Sequence, residues 1–379
     1  MLKILHRYLG LTVGGVYALL GLTGSILVFD HSIDEALNSD IYYIAERGDP
    51  LPLQQLLDGA LASMAGGDRI VYIEIPIAAG RAYRFFSKNA IGDRLEIFIN
   101  PYTGDVIDTR IWGNYFASFI YDLHSNLVSG SAGHFVIGIV GLVILLMLLS
   151  GLYRWWPKSR RWRSALLAKG RAAPIRRHFD LHRLTGAYMA VFLIVSATSG
   201  VYLCFPGQFK AVVAWALPVA APEAVTIAAP SPSTNLAAGT VMGLDLTLDL
   251  DQAIALGKDV FPLATLSRVY PPATAYDPIK LRFSQPTEVS RRVGRSEVWV
   301  DPYRNTVVAV KDPINSAVGD RFLYWLFPLH NGEAFGLIGR CFVFVLGFIP
   351  PILFVSGFLL WRKKRMNLLN NHRGGIRRR

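Results

Sequence analysis

The chain has 379 residues with a formal net charge of +12, and 52% of its residues are hydrophobic against 17% charged. This length would hold two or three soluble domains, but the low charged fraction and the mean hydropathy of +0.34 indicate several membrane spans instead. The net positive charge does not predict a nucleic-acid partner, because the basic residues are grouped beside apolar segments.

Four segments without charged residues are long enough to cross a hydrocarbon core about 30 Å thick, which takes about 20 helical residues. They are Tyr8–Phe29, Phe135–Tyr153, Leu184–Phe209 and Cys341–Trp361. The first is too long for the apolar region of a signal peptide, and no small-residue cleavage site follows it, so we interpret it as a retained helix. The sequence therefore predicts an integral α-helical membrane protein with four transmembrane helices.

The charged residues predict the orientation of these helices. Residues 158–177 contain eight Lys and Arg and no acidic residue, and eight more basic residues follow Trp361, again without an acid. Residues 30–133 contain fourteen acidic against seven basic residues. By the positive-inside rule, both termini and the middle basic loop face the cytoplasm, where they contact membrane lipids, and the two long loops face outward. We expect a multi-pass protein with two large loops that face the periplasm or the cell exterior.

Each long loop has the pattern of a small α+β module. In the first, we predict a helix, three strands and a turn at Leu53–Ala65, Arg69–Ile77, Arg81–Ser87, Arg94–Asn100 and residues 100–104. In the second, an Ala/Pro/Ser-rich linker precedes a helix, two strands and a turn, at Pro218–Gly239, Leu248–Lys258, Lys280–Ser284, Glu297–Val300 and residues 301–305.

The two halves of the chain repeat each other. Placing His6 on His182 aligns Arg7 with Arg183, Gly10 with Gly186 and Gly24 with Gly200, and placing His124 on His330 aligns Ser150-Gly151 with Ser356-Gly357. We therefore predict two tandem repeats related by an axis along the membrane normal, each with one outer module. Pro350-Pro351 should kink the fourth helix.

The predicted segments follow from this repeat. They are helix 1 (1–31), the first outer module (32–115), helix 2 with a preceding interfacial segment (116–157), the basic cytoplasmic loop (158–181), helix 3 (182–209), a linker with the second outer module (210–321), helix 4 with a preceding interfacial segment (322–363) and the basic cytoplasmic tail (364–379).

Seven of the eight histidines lie near the two ends of the predicted spans. His6, His178 and His182 are near the cytoplasmic ends, and His31, His124, His134 and His330 are near the outer ends, whereas His372 lies in the basic tail. A single interfacial histidine is usually a surface polar residue. Two clusters on opposite sides of the membrane are what two b-type haems, each with two imidazole ligands, would require for electron transfer across the bilayer.

Other uses of these histidines are less favoured by the sequence. Metal-ion transport and proton relay normally need a carboxylate at depth, and none of the four uncharged spans contains one. The absence of a Cys-x-x-Cys-His motif excludes covalent attachment of c-type haem.

The pairing of the ligands is left open between alternatives. His178 and His182 share one helix face, so they cannot bind one iron from opposite sides. His6 with His182 and His124 with His330 are the symmetric pairs. His134 aligns with Arg340, and His31 with Gly207, so both are unpaired candidates for a haem held mainly by the first half.

Three arginines are candidates for binding haem propionates, since Arg makes two-pronged contacts with carboxylates. They are Arg7, Arg183 and Arg340, and lipid phosphate is the alternative partner, above all for the first two.

The electron donor is predicted from what the sequence lacks. No P-loop, HExxH or G-x-S-x-G motif is present, so the catalytic residues stay unknown. No dinucleotide-binding motif is present either, so the electron donor should be a quinol or a separate protein. Cys204 and Cys341 could form a disulfide, but two buried thiols are the favoured interpretation.

Four stretches resemble the PepSY-associated transmembrane helix family: HRYLGLTVGGVYALLGLTGSILVF, LHSNLVSGSAGHFVIGIVGLVILLMLLSGLYRWWPK, HFDLHRLTGAYMAVFLIVSATSGVYLCFP and PLHNGEAFGLIGRCFVFVLGFIPPILFVSGFLLWRKK. Within that family the chain looks closest to the siderophore reductases. The resemblance implies a protein of the bacterial inner membrane with PepSY-like periplasmic modules and two non-covalent haem b groups. These groups pass electrons to a ferric siderophore of the hydroxamate type and release Fe(II). The matching histidines are His6, His124, His134, His178, His182 and His330, whereas His31 is outside the pattern.

Two other functions stay open. One is the same cytochrome with a different periplasmic acceptor, and the other is a non-enzymatic membrane protein whose PepSY modules bind a periplasmic protease or peptide. For siderophore reduction, we expect the siderophore to dock in a cleft between the two modules. The candidate contacts, or alternatively an interfacial aromatic belt, are Trp112, Tyr115, Arg321, Tyr324 and Trp325.

Overall fold

A computed structural model describes residues 2–45, 48–64, 66–157, 162–168, 173–221, 225–228, 240–241, 244–245, 248–290 and 292–376. The chain forms two compact units. We call Met1–Asp30, Ile120–Ala211 and Leu326–Arg379 the helical unit, and His31–Phe119 with Val212–Trp325 the sheet unit.

The secondary structure consists of helices and short strands. The helices are α1 (Leu2–Leu27), α2 (Asp30–Leu37), α3 (Ser39–Tyr42), α4 (Leu53–Ala62), α5 (Phe116–Asn126), α6 (Gly130–Trp155), α7 (Trp162–Leu166), α8 (Pro174–Cys204), α9 (Pro206–Ala214), α10 (Leu250–Val260), α11 (Val318–Asn331), a 3₁₀ turn (Glu333–Phe335), α12 (Gly336–Leu346) and α13 (Ile349–Ile376). The strands are β1 (Arg69–Glu74), β2 (Tyr83–Lys88), β3 (Arg94–Ile99), β4 (Val106–Ile111), β5 (Thr240–Val241), β6 (Leu244–Asp245), β7 (Thr265–Tyr270), β8 (Ile279–Ser284), β9 (Ser296–Asp301) and β10 (Thr306–Lys311).

The helical unit contains four helical segments that are long and apolar enough to cross a membrane. Within the described residues these are Leu2–Leu27, Gly130–Trp155, Ile175–Cys204 and Glu333–Asn367. Each coincides with one of the four uncharged segments found in the sequence, so the prediction of four membrane helices is confirmed by length and composition.

The four long helices pack into a bundle. Helices α6 and α13 each pack against both α1 and α8. Buried side chains from α6, α8 and α12 form the central apolar cluster, which comprises Ile144, Leu148, Leu193, Ala197 and Leu346. Helices α1 and α8 are therefore held in place by the same two neighbours.

The fourth span is interrupted at the position where a kink was predicted. Helix α12 ends at Leu346 and α13 begins at Ile349, so that Pro350 and Pro351 fall in the first turn of α13, where a missing backbone N–H costs little. Ser25 of α1 donates a hydrogen bond of 2.7 Å to the carbonyl of Phe344, which lies in the last turn before this break. Helix α1 thus supplies a hydrogen-bond donor to a backbone carbonyl beside the break.

The sheet unit is built around one antiparallel sheet of eight strands in the order β10-β9-β8-β7-β1-β2-β3-β4. The first long loop supplies β1–β4 and the second supplies β7–β10. They join where Ile73 pairs with Val269 and Glu74 with Arg268. The sequence predicted a module in each loop, whereas the structure joins the strands of both loops into a single sheet. It also adds β4, β7 and β10, which were not predicted.

One face of this sheet is covered by α4 and α10, which share an apolar core with it. Fully buried side chains from both loops meet there, including Leu56, Phe85, Leu250, Val269 and Phe283. The two helices also cap each other: the Asp251 carboxylate accepts from the backbone N–H groups of Leu53 and Gln54, both at 2.9 Å, and Gln54 accepts from Leu250. The core therefore needs both loops.

The structure describes the predicted linker, the two cysteines and His372 to different extents. Of the predicted linker Pro218–Gly239, only residues 218–221 and 225–228 lie within the described residues. Cys204 and Cys341 are free cysteines rather than a disulfide, and Cys341 is exposed rather than buried, because it lies on the outside of α12. The side chain of His372 lies outside the described residues.

Candidate functional site

Four histidines form two pairs in the helical unit. His6 on α1 and His182 on α8 have ring centroids 6.4 Å apart with an angle of 84° between the rings. His124 on α5 and His330 on α11 have centroids 6.2 Å apart with an angle of 58°. The structure thus brings together the two symmetric pairs that the sequence suggested.

Each ring of the first pair is held at Nδ1 by a serine on a neighbouring helix. The Nδ1 of His6 lies 3.0 Å from the hydroxyl of Ser150 on α6. The Nδ1 of His182 lies 3.0 Å from the hydroxyl of Ser356 on α13 and 3.0 Å from the carbonyl oxygen of Leu353. These contacts orient both rings.

The second pair is held in the same way. The Nδ1 of His124 lies 2.9 Å from the hydroxyl of Thr23 on α1. The Nδ1 of His330 lies 3.0 Å from the hydroxyl of Ser199 on α8 and 3.1 Å from the carbonyl oxygen of Ser196. All four histidines therefore have a hydroxyl partner at Nδ1, on a helix other than their own.

These contacts determine the tautomer. A carbonyl oxygen only accepts, so the Nδ1 of His182 and of His330 must carry the proton. The hydroxyl of Thr23 donates to the carbonyl of Leu19 at 2.8 Å, which leaves its oxygen to accept from the Nδ1–H of His124. Ser150 behaves likewise toward His6, because its own proton goes to the carbonyl of Met147.

With the proton on Nδ1, each ring carries its lone pair on Nε2. None of the described hydrogen bonds of these four histidines involves Nε2. A histidine that donates from one nitrogen to a fixed acceptor and offers the other nitrogen is the usual arrangement of a metal ligand. The arrangement can therefore supply two neutral imidazole donors at each of two places.

A glycine follows each of the four hydroxyl residues and makes room for the imidazole. A Cβ atom added there would lie 2.9–3.4 Å from the Cε1 atom of the histidine. The four dipeptides are Thr23-Gly24 beside His124, Ser150-Gly151 beside His6, Ser199-Gly200 beside His330 and Ser356-Gly357 beside His182. The alignment of the two halves matched Gly24 with Gly200 and Ser150-Gly151 with Ser356-Gly357 but did not relate them to the histidines. The recurrence of a hydroxyl residue followed by glycine once in each span is the signal that could have shown it.

The spacing of the rings fits one metal atom between each pair. Two imidazoles that bind a metal from opposite sides, with metal–nitrogen bonds of about 2.0–2.1 Å, have ring centroids about 6.3 Å apart. The observed separations are 6.4 and 6.2 Å. Over the described part of the chain, no group of three or more His, Cys, Asp or Glu residues could hold a free metal ion. A haem iron needs only two protein ligands.

The remaining candidate histidines are not part of these pairs. His134 lies on α6 and its Nδ1 contacts the carbonyl oxygen of Ser125 at 3.0 Å. His178 lies one turn before His182 on α8 and is half-buried. His31 belongs to the sheet unit. Their assignment as ligands stays a prediction.

The candidate propionate-binding arginines have protein partners. Arg340 donates to the carbonyl of Val28 at the end of α1, through Nε at 3.1 Å and Nη2 at 2.6 Å, and lies over the ring of Phe29. Arg7 lies over the Tyr8 ring. For Arg340 these contacts describe a cap on the end of α1, a role that the sequence did not suggest.

Arg183 ties α7 to α8. It donates to the carbonyls of Ser164, Ala165 and Leu167 at 2.9–3.1 Å and pairs with Asp180. These contacts hold the described part of the basic loop, residues 162–168, against α8 next to His182.

The residues proposed as docking contacts all lie in the sheet unit. Trp112 packs edge-on against Tyr115, whose hydroxyl donates to Glu96 at 2.7 Å. Tyr324 lies beside Lys311, and Trp325 is exposed. The sequence led us to expect a cleft between the two modules. In the structure β1 and β7 pair directly, so the strands of the two modules form one continuous sheet there.

A comparison with protein families gives one match. The family described as PepSY-associated TM region matches residues 4–364. No curated protein matches the chain.

Proposed function

Because the chain belongs to the PepSY-associated transmembrane family, we propose that it is an inner-membrane cytochrome with two haem b groups that reduces a ferric siderophore in the periplasm. The observation that carries this proposal is the geometry of the two histidine pairs. Their ring separations of 6.4 and 6.2 Å match the span of two imidazoles across one iron.

The protein side of each site is already oriented for ligation. The Nδ1–H groups are held by hydroxyl and carbonyl oxygens, which raises the basicity of the imidazoles and keeps Nε2 as the donor atom. The glycines beside the rings leave room for the imidazoles in these positions. Haem bound at such a pair supplies one-electron chemistry, with an iron that takes up and releases single electrons.

Each pair takes one histidine from each half of the chain. If the halves are tandem repeats, as the alignment of their sequences indicates, neither half completes a ligand pair alone. The basic residues that flank the His6 and His182 helices support a cytoplasmic position for that pair by the positive-inside rule. His124 and His330 would then serve the periplasmic side, and the electron donor would be a quinol or another protein.

The siderophore reductase activity follows from coordination chemistry. Siderophores hold Fe(III) through hard oxygen donors, and reduction to Fe(II) weakens that binding, so electron delivery alone can release the metal. The proposal needs no nucleophile or general base, in agreement with the lack of recognisable catalytic motifs in the sequence.

The first test is the visible spectrum of the purified full-length protein. We expect Soret and α bands that change with dithionite, and a pyridine haemochrome of type b with two haems per chain. Correctly folded, colourless protein from haem-replete cells would refute the cytochrome and would favour the non-enzymatic alternative.

The second test concerns the acceptor. Pre-reduced protein is mixed with a ferric hydroxamate siderophore and an Fe(II) chelator, and we expect reoxidation of the haem bands together with formation of the Fe(II) complex. A haem-loaded protein that is not reoxidised by any ferric siderophore would instead be a cytochrome with a different acceptor.

A further inference from the structure

The face of the eight-stranded sheet opposite α4 and α10 carries a line of charged side chains. Every strand of that sheet contributes one, and neighbouring members are cross-strand partners or diagonal neighbours. In strand order from β4 to β10 they are Arg110, Glu96, Arg84, Glu74, Arg268, Arg282, Glu297 and Lys311. We call this line the charge ladder.

The half of the ladder on β2–β4 is neutralised within the protein. Arg84 and Arg110 both pair with Glu96, at 2.9 and 2.8 Å. Helix α2 adds the buried Asp34, which accepts two hydrogen bonds from Arg110. The buried Tyr42 of α3 also packs on this half. Cations and carboxylates are therefore balanced here.

The half on β1 and β7–β10 is not balanced. Two carboxylates, Glu74 and Glu297, lie among a larger set of basic groups, and Glu74 is shared with Arg84. The basic groups here are Arg268, Arg282 and Lys311 of the ladder, together with Lys280, which lies two residues before Arg282 on the same face of β8. Closely spaced, partly buried cations are costly unless an anion lies among them.

Lys280 shows this imbalance most clearly. Its ammonium lies 3.9 Å from the centre of the Tyr270 ring, and it makes no ion pair within the described residues. Burial lowers its pKa, and the positive neighbours Arg282, Lys311 and Arg268 lower it further, against the single opposing effect of Glu297. A lysine that is partly removed from water and has mostly positive neighbours favours the binding of an anion beside it.

An aromatic row runs beside this half of the ladder, because alternate residues of a strand share a face. Tyr72 stacks on Phe86 at 4.4 Å and lies 5.5 Å from Tyr270. Tyr270 is the cross-strand partner of Lys280, which in turn pairs with Trp299. All five side chains are partly exposed. The Lys280 ammonium lies over one face of the Tyr270 ring and the Arg268 guanidinium over one face of Tyr72, so the row combines aromatic rings with cations.

We propose that this half of the sheet face, centred on Lys280, Tyr270 and Trp299, binds a polyanionic metal chelate that carries aromatic rings, of the ferric tris-catecholate class. Charge complementarity favours a polyanion, and the ring faces favour a ligand with flat aromatic groups that stack on them. The ferric identity of the metal rests on the proposed function, whereas the binding itself does not.

The test measures binding without electron transfer. Full-length protein in detergent is titrated by calorimetry with the trianionic gallium(III) tris(catecholate) complex, which cannot be reduced as the ferric complex can, and with the neutral gallium(III) tris(acetohydroxamate) complex. We expect the trianionic complex to bind more tightly and to weaken as salt is added, since screening reduces exposed charge interactions. Equal affinities, or no salt dependence, would overturn the proposal.

Variants locate the site on the sheet. Lys280→Met should weaken binding of the trianionic complex by about tenfold, a typical loss for one charge-assisted contact, and Lys280→Arg should restore much of it. Lys258→Met, an exposed lysine in the last turn of α10 on the opposite side of the sheet, is the matched control and should change nothing. Binding unchanged in Lys280→Met, or binding of anionic phospholipid vesicles or poly-glutamate in place of the chelate, would show that the occupant is wrong.

These outcomes are separate from those of the proposed function. A protein that contains two haems and reduces ferric siderophores, but does not bind the gallium catecholate, would refute only this inference.

Discussion

Adding a methyl group at Gly24 should displace His124 and weaken the pair that it forms with His330. The new Cβ would lie 2.9 Å from the Cε1 of His124, and ordinary carbon–carbon contacts begin near 3.5 Å. The ring must therefore move by about 0.5 Å, which is about the tolerance of a preorganised binding site. Overpacking of this kind costs about 1–3 kcal/mol, which corresponds to about 5- to 150-fold weaker haem binding.

The other three glycines beside the imidazoles make this a graded test. The corresponding distances are 3.1 Å at Gly151, 3.3 Å at Gly357 and 3.4 Å at Gly200. Haem loss on substitution by alanine should therefore fall in the order Gly24, Gly151, Gly357, Gly200. Gly10 is the matched control, since its Cβ would meet only the Met147 sulfur at 3.8 Å, and alanine there should be neutral or slightly stabilising.

The assay is the haem-to-protein ratio of each purified variant, followed by titration of haem into the stripped protein. The reasoning would be refuted if Gly24→Ala kept two haems with unchanged affinity, or if Gly200→Ala and Gly10→Ala lost as much haem as Gly24→Ala.

Three further predictions follow from the same structure. Thr23→Val should weaken haem binding by about 2- to 12-fold, the net value of one hydrogen bond of about 0.5–1.5 kcal/mol, whereas Thr12→Val, whose hydroxyl bonds only to its own helix, should leave the haem titration unchanged. His182→Ala should halve the haem content and His178→Ala should not; an unchanged ratio in the first variant would contradict the assigned pair. Burial alone raises the pKa of Glu74, but its arginine partners lower it by more, to below its ordinary 4.5, so its contribution to stability is present above pH 4.5 and is lost as the pH falls through its folded-state value. Glu74→Gln leaves two partly buried guanidinium groups short of a partner, at a cost of about 1–3 kcal/mol. Its thermal unfolding should occur at lower temperature at neutral pH and should lack this part of the acid dependence.

The histidine pairs show how far sequence reasoning extends. The alignment of the two halves placed His6 opposite His182 and His124 opposite His330, and the structure brings these rings together. The alignment left His134, which aligns with Arg340, as an unpaired alternative near the outer end of a span. In the structure its Nδ1 contacts the carbonyl oxygen of Ser125 in α5, a contact that depends on the turn between α5 and α6.

Arg340 shows a contact that the sequence did not contain. Its assignment to a haem propionate stays a prediction, and in the structure its guanidinium lies against the carbonyl of Val28 at the end of α1. A helix terminus leaves carbonyls without partners, and any nearby cation can satisfy them. The identity of that cation depends on how α1 and α12 pack, which no local pattern contains.

What the sequence alone determined was the set of elements with a strong local signal. A long uncharged run has one stable form in a bilayer, a helix, so the four spans could be found from hydropathy, and the duplicated motifs identified the histidines. Tertiary structure decided what depends on contacts between distant segments. The joining of β1 to β7, the hydroxyl at each Nδ1 and the net positive half of the charge ladder all bring together residues far apart in the chain. Such contacts arise from packing, and packing is a property of the folded chain as a whole.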